Sequence, residues 1–242
     1  MQFRPSLVLS LTLLVICLIF GRLGWWQLER GTEKQALFDQ FEAAPMMTIE
    51  QALQKPDGFS RVEAWGHFDP KRHILLDNKM YKGRAGVHVF TPFYLDHGET
   101  LLVNRGWLLM PPDRRTLPGV PTLPGNRMIS GMLKRPPTGG PRLGEPDKLA
   151  PDQWPQLVTY FDLDAIGKSL DVELEHWLLQ LDRDDPAGFE DREWQAAVMT
   201  PAVHRAYAWQ WFSLALATLI IWITLGFRRG KKNSEQRNNR TK

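Results

Sequence analysis

The chain has 242 residues, one cysteine, ten tryptophans and a formal net charge of +3. A single cysteine excludes an internal disulfide and a multi-thiolate zinc or iron–sulfur site within one chain. With 43% hydrophobic and 24% charged residues, the composition is neither disordered nor collagen-like.

The basic excess suggests nucleic acid until it is located. Residues Arg228–Lys242 carry seven basic side chains and one acid, a local charge of +6. Between Glu29 and Arg205 there are 21 basic and 26 acidic residues, a local charge of −5. An acidic middle repels phosphate backbones, so no nucleic-acid partner is expected.

The first element, after a short cytoplasmic start at residues 1–6, is the apolar run Leu7–Trp26. It holds twenty residues with one charge, Arg22, near its end. A helix of that length covers about 30 Å, the thickness of a bilayer core. A cleaved signal peptide would need a small-x-small site, and Gly21-Arg22-Leu23-Gly24-Trp25-Trp26 offers none, so an uncleaved anchor is expected.

Residues 27–205 read as one α+β domain with an antiparallel, β-rich, barrel-like sheet. Thr48-Ile49-Glu50-Gln51 is a capping box that starts a short helix toward Lys55. Strands are expected at Arg61–Phe68, His73–Asn78, Gly86–Tyr94, Thr100–Leu108 and Arg127–Leu133, punctuated by Asp69-Pro70, Lys82-Gly83 and His97-Gly98. The proline- and glycine-rich stretch Pro111–Pro155 predicts a long irregular excursion around the last of these. Another strand is expected at Leu157–Phe161, then a helix capped by Asp162 and running to Leu170, then a strand at Glu173–Leu181. The acidic stretch Asp182–Asp191 reads as mobile.

The second apolar run, Ala206–Phe227, has twenty-two residues and no charge. Arg228, Arg229 and the polar tail to Lys242 follow it. The positive-inside rule puts that tail, read as disordered, in the cytoplasm. Two spans with both ends inside place residues of about 30–200 outside, which in a bacterium is the periplasm. The aromatic clusters Trp25, Trp26 and Tyr207, Trp209, Trp211 then both fall at the outer interface. The expected location is the inner membrane, with lipid as a partner.

Catalytic fingerprints are missing. The sequence has no nucleophile elbow, Walker A loop, paired-histidine zinc motif or dinucleotide fingerprint, so no enzyme is expected. His67, His73, His88 and His97 lie in or beside strands without tight ligand spacing. Asp69 with Asp77, and Asp162 with Asp164, are better explained as turn and cap residues than as acid–base pairs. Asn104-Arg105-Gly106-Trp107 ends an apolar strand. Arg105 is there either a polar tip that meets a partner or a propionate, or a strand-end cation paired with an acid beside a glycine of unusual backbone angle.

Thr200-Pro201 opens the helix that becomes the second span. His204, Tyr207 or Ala208, and Trp211 are spaced to share one face. An imidazole entering a bilayer can ligate the iron of a planar, membrane-embedded haem, with Trp211 along the macrocycle. Interfacial anchoring by the same His and Trp is the alternative.

Several segments, in chain order, resemble the surfeit locus protein 1 family. They are Gly24-Trp25-Trp26-Gln27-Leu28-Glu29-Arg30, Gly66-x-Phe68, Gly86-Val87-His88-Val89-x-Thr91-Pro92, Leu102-Val103-Asn104-Arg105-Gly106-Trp107 and His204-x-x-Tyr207-Ala208-x-Gln210-Trp211-Phe212. The resemblance covers nearly the whole chain, with no alignable feature in Pro111–Pro155. It implies an assembly factor for cytochrome c oxidase that binds haem a and assists its insertion into the large oxidase subunit, with haem a synthase as a further partner. The family histidine maps to His204, as the iron ligand, and a tryptophan two turns on maps to Trp211. Arg22, near the outer end of the first span, would pair with a haem propionate or with a lipid phosphate. The alternative role is a membrane-tethered scaffold that steadies the oxidase subunit without binding haem.

The charge layout makes a topology prediction. A reporter active only outside the cytoplasmic membrane should be active when fused at Pro146 and silent when fused after Lys242; the reverse pattern would overturn the layout.

Overall fold

The computed structural model describes residues 3, 5–54, 59–114, 116–121, 123–136, 147–197 and 199–239, with side chains in the last helix as far as Arg229. Part of the Pro111–Pro155 excursion, at 137–146, lies outside the described residues, as do residues 1, 2 and 4 of the amino terminus and 240–242 of the tail. The chain forms two compact units. One joins Met1–Glu42 to Gln195–Lys242; the other is Ala43–Trp194.

The first unit is a helix pair, α1 (Leu7–Glu42) and α4 (Pro201–Asn239). Both are long and apolar enough to cross a membrane, with mean hydropathies of 2.4 and 1.7 in their apolar stretches. Only 6% and 11% of those stretches are buried, whereas a core helix of a soluble protein would be mostly buried. Each helix outlasts its apolar run. α1 continues from Trp26 to Glu42, and α4 continues through much of the tail expected to be disordered. An established helix extends at little cost through Gln, Glu, Lys and Arg, which are good helix formers.

The helices pack antiparallel. Gly31 lies against Pro201 and His204, Gly24 against Phe212, Phe20 against Trp211, Cys17 against Ala215 and Phe3 against Gly226. On α1, the covered positions Leu13, Cys17, Phe20, Gly24, Gln27 and Gly31 alternate in steps of three and four, the spacing of a two-helix seam. Gly24 sets the approach: a Cβ there would sit 2.7 Å from the Phe212 ring. Small residues of this kind let membrane helices come close.

The second unit is a mixed eight-stranded sheet. Its strands are β1 (Met46–Thr48), β2 (Ser60–Phe68), β3 (Ile74–Tyr81), β4 (Arg84–Leu95), β5 (Thr100–Leu109), β6 (Arg127–Lys134), β7 (Gln156–Val158) and β8 (Leu174–Leu181). Their order is β1-β2-β6-β8-β5-β4-β3-β7, and β2 also pairs with β4 through its last three residues. The sheet expected to be antiparallel is mixed, because β1–β2, β3–β7 and β5–β8 are parallel. The reason is topological. β8 arrives after a long connection that carries helix α3 (Leu163–Leu170), which gives the chain the length it needs to lie parallel to β5 while staying antiparallel to β6.

β5 is the central strand. Leu101 and Val103 enter one apolar cluster with Phe68, Phe93, Ile129 and Leu179, while Leu102 enters another with Phe90, Ile166 and Leu178. Burial on both faces explains its apolar run Leu101–Val103. The turn and cap residues work as read. Thr48 N–H donates to Gln51 Oε1 (3.2 Å), and Gln51 N–H donates to Thr48 Oγ1 (3.4 Å), at the start of α2 (Ile49–Gln54). Asp162 Oδ1 accepts from Ala165 N–H at 3.1 Å.

The acidic stretch after β8, read as mobile, is stitched down. Asp182 N–H donates to Ser130 O, Phe189 N–H to Arg105 O, and Trp107 N–H to Glu190 O, at 2.9, 2.6 and 2.6 Å. Arg192 Nη1 donates to the carbonyls of Asp182 and Asp185. Gly106 makes the approach possible, at φ +104° with the Glu190 carbonyl where a Cβ would stand.

His73 is 4% exposed, with Nδ1 3.0 Å from Thr91 Oγ1. Burial, and then the nearby Arg105 charge, pushes its imidazole down to about 4 from an ordinary 6.5. The unfolded chain therefore takes up the proton first. His73's contribution is full above pH 6.5 and is lost as the pH falls toward 4, a loss of at most about 3 kcal/mol. The urea midpoint should drop between pH 7 and pH 4.5, and less steeply in His73→Gln; equal slopes would refute this assignment.

Candidate functional site

Among the described residues no three His, Cys, Asp or Glu side chains gather as a metal-binding group. The candidates of the sheet unit have structural partners. Asp69 accepts from Lys71 N–H, Arg72 N–H and Arg72 Nε, and Asp77 pairs with Arg114. His88 Nδ1 is 3.1 Å from Asn104 Nδ2, and its Nε2 is 3.6 Å from Asp191. His97 is exposed, 3.7 Å from Glu50.

Arg105 is 2% exposed. Its Nε donates to Ala187 O at 2.8 Å, and its guanidinium carbon lies 5.0 Å from the Phe68 ring centre and 4.6 Å from that of Phe189. Burial pulls the guanidinium down to about 10. The side chain holds the stretch that follows β8, and the positive φ expected of its neighbour is found at Gly106.

In the helix unit His204 is 7% exposed, and Nδ1 lies 2.8 Å from Gln27 Oε1. An amide oxygen only accepts, so Nδ1 carries the hydrogen, and in the neutral ring Nε2 then carries the lone pair. Nε2 is buried without a hydrogen-bond partner. Leaving such an atom unmatched costs roughly 1–3 kcal/mol. Arg127 Nε and Gln180 Oε1 are unmatched in the same way; His204 differs in that a lone pair held in one tautomer by a second polar group is the arrangement seen in metal-binding imidazoles.

The other candidates divide around this residue. Ala208, fully buried, shares the α1-facing stripe with His204, and Trp211 is half-buried on it, its ring 5.7 Å from Phe20. Tyr207 points away and is 44% exposed, so the shared face runs through Ala208. Arg22 is also off the seam, its side chain 4.0 Å from Glu29, which accepts from Trp25 Nε1 at 2.8 Å. Gln27 was not singled out from the sequence. Its signal is its place midway between Gly24 and Gly31, two glycines seven residues apart on one helix face.

Removing the Gln27 acceptor tests its hold on the ring. In Gln27→Leu, ¹⁵N spectra of the His204 imidazole should change from a single Nδ1–H form to a mixture; a single unchanged form would show that Gln27 does not set the tautomer.

Residues 14–216 match the model of the SURF1 family. The chain is 29% identical to surfeit locus protein 1 of Xenopus tropicalis over 240 residues, covering 89% of this chain and 75% of that protein. It is 27% identical to a SURF1-like protein of Monosiga brevicollis, covering 88% and 85% of the two chains. It is 26% identical to an uncharacterized SURF1-like protein of Mycobacterium tuberculosis, covering 86% and 79%. With the family match running from within α1 well into α4, this chain belongs to the SURF1 family.

Proposed function

We propose that this protein is a membrane-anchored assembly factor of cytochrome c oxidase that takes up haem a as cargo and passes it to the large oxidase subunit. Membership of the family supports the assembly role. The haem reading rests chiefly on one observation, the buried and unpartnered Nε2 of His204 held opposite Gln27.

In this reading α1 and α4 both span the bilayer, and the sheet unit lies on the outer side. If haem a is bound, a neutral imidazole would hold its iron. His204 supplies Nε2, and Gln27 keeps the proton on the other nitrogen. Because Nε2 is shielded, the imidazole must turn or the seam must part before a planar ligand meets it. Trp211 gives apolar contact on the same helix face two turns on. The reaction is binding and release, with no bond made or broken in the cargo's skeleton, so no catalytic turnover is assigned. Arg22 and Tyr207, exposed beside the seam, are available to propionates or to lipid headgroups. The sheet unit presents its surface to the oxidase subunit and to haem a synthase.

Protein purified from cells that make haem a should carry a Soret band. His204→Ala should lose most of the bound haem and the imidazole-ligated spectrum. Trp211→Ala should weaken binding by a smaller factor, since a stacked ring is worth about 0.5–1.5 kcal/mol beyond the area it buries. His97→Ala should change nothing. Full haem occupancy with an unaltered spectrum in His204→Ala would end the ligand assignment, and a pigment-free wild type that still supports oxidase assembly would favour the scaffold role.

A further inference from the structure

The seam between α1 and α4 is tight at both ends and open between them. Toward the outer end Gly24 meets Phe212, and Cys17 Sγ reaches the Ala215 carbonyl. At the other end Phe3 lies on Gly226, where a Cβ would overlap its ring, and packs edge-on against Trp222 at 5.1 Å. Beside the seam between these contacts lies a side-open cavity of about 200 Å³, lined by the exposed Leu7, Leu11 and Leu14 of α1 and by Thr218, Leu219 and Trp222 of α4.

The polar atoms of the lining are already satisfied. Trp222 Nε1 donates to Ser10 Oγ at 2.9 Å, and Thr218 Oγ1 donates to the Leu214 carbonyl at 2.8 Å. What remains is hydrocarbon surface open to the side, suited to an alkyl chain and unsuited to a polar ligand.

The charge next to the cavity narrows the choice. Arg228 and Arg229 are exposed on α4 just beyond Phe227. Arg229 follows Trp222 by seven residues and Thr218 by eleven, so it stands on the cavity's side of the helix. Eleven helical residues rise about 16 Å, close to the ~15 Å depth of one leaflet's hydrocarbon. Phe3 closes the seam at Gly226, so a phosphate held at the arginines places a chain of leaflet length along the outside of that contact and into the cavity through its open side.

We infer that the α1–α4 cavity with Arg228 and Arg229 is a site for one anionic phospholipid, its acyl chain in the open side of the cavity and its phosphate on the arginines. The site rests on the membrane-spanning reading of the two helices. It is separate from the His204 seam, which lies more than two turns farther along both helices, beyond Phe20 and Trp211.

The test uses the full-length protein. Resistance to alkaline extraction first checks that it spans a membrane, so failure there is failure of that reading and not of the site. Native mass spectrometry is then run from micelles holding equal amounts of phosphatidylglycerol and phosphatidylcholine with identical chains. The wild type should retain one phosphatidylglycerol in preference. The double variant Arg228→Gln, Arg229→Gln should lose about 25-fold in retention of that lipid, about fivefold per arginine, with phosphatidylcholine unaffected. Leu14→Trp and Leu219→Trp each fill the cavity from a different helix and should lower retention of both lipids. Equal retention of the two lipids by the wild type, or undiminished retention in both filling variants, would overturn the site.

Discussion

The close contact of two antiparallel helices organises this molecule's chemistry. Helices in a bilayer gain no hydrophobic energy by meeting, because lipid tails are as apolar as their own side chains. In the membrane-spanning reading, the association of α1 and α4 has to come from close packing and from polar bonds that have no competitor. Gly24 and Gly31 provide the first, and Gln27 with His204 provides the second. The two are linked, because a bulky side chain at either glycine would push α4 outward and lengthen the amide–imidazole bond. A single seam thus fixes the helix register, the orientation of the ring and the identity of its protonated nitrogen.

The sheet unit handles its buried charge in the opposite way. Arg105 is enclosed by two phenylalanine rings and a carbonyl, with its cost spread over cation–π contact and backbone acceptors. Its reward is local order, since its own carbonyl and the Trp107 N–H bond to the stretch after β8. In that stretch the carbonyls of Asp182 and Asp185 receive Arg192. A charge-rich sequence is ordered here because its cations are turned onto its own backbone. Among the described residues the buried side-chain atoms without a hydrogen-bond partner are Arg127 Nε and Gln180 Oε1 in the sheet unit and His204 Nε2 in the helix unit; of these, the imidazole nitrogen is the one whose free lone pair can ligate a metal.

Much of this was legible along the chain. Strands with clear alternation or a continuous apolar run, the Lys82-Gly83 turn and the caps at Thr48 and Asp162 are set by neighbours a few residues apart, and they lie where local rules put them. The three residues of β1 are too few to carry a pattern. The parallel pairings join segments far apart in sequence, and no local signal specifies them. The same limit hid the site's second half. His204 was conspicuous as a histidine entering an apolar run, but its partner is 177 residues away on the other helix. The choice between Tyr207 and Ala208 likewise turned on which side of α4 faces α1, which spacing alone leaves open by one residue.

The strand order carries a consequence for how the chain is made. β8 lies between β5 and β6, both of which precede it by some forty residues or more. Until it emerges, β6 and β5 have no bond to each other, and the two limbs of the sheet meet only through the short β2–β4 pairing. The unit's two limbs therefore lock together only after nearly all of it has been made, and the early strands must stay loosely joined while the later ones are synthesised.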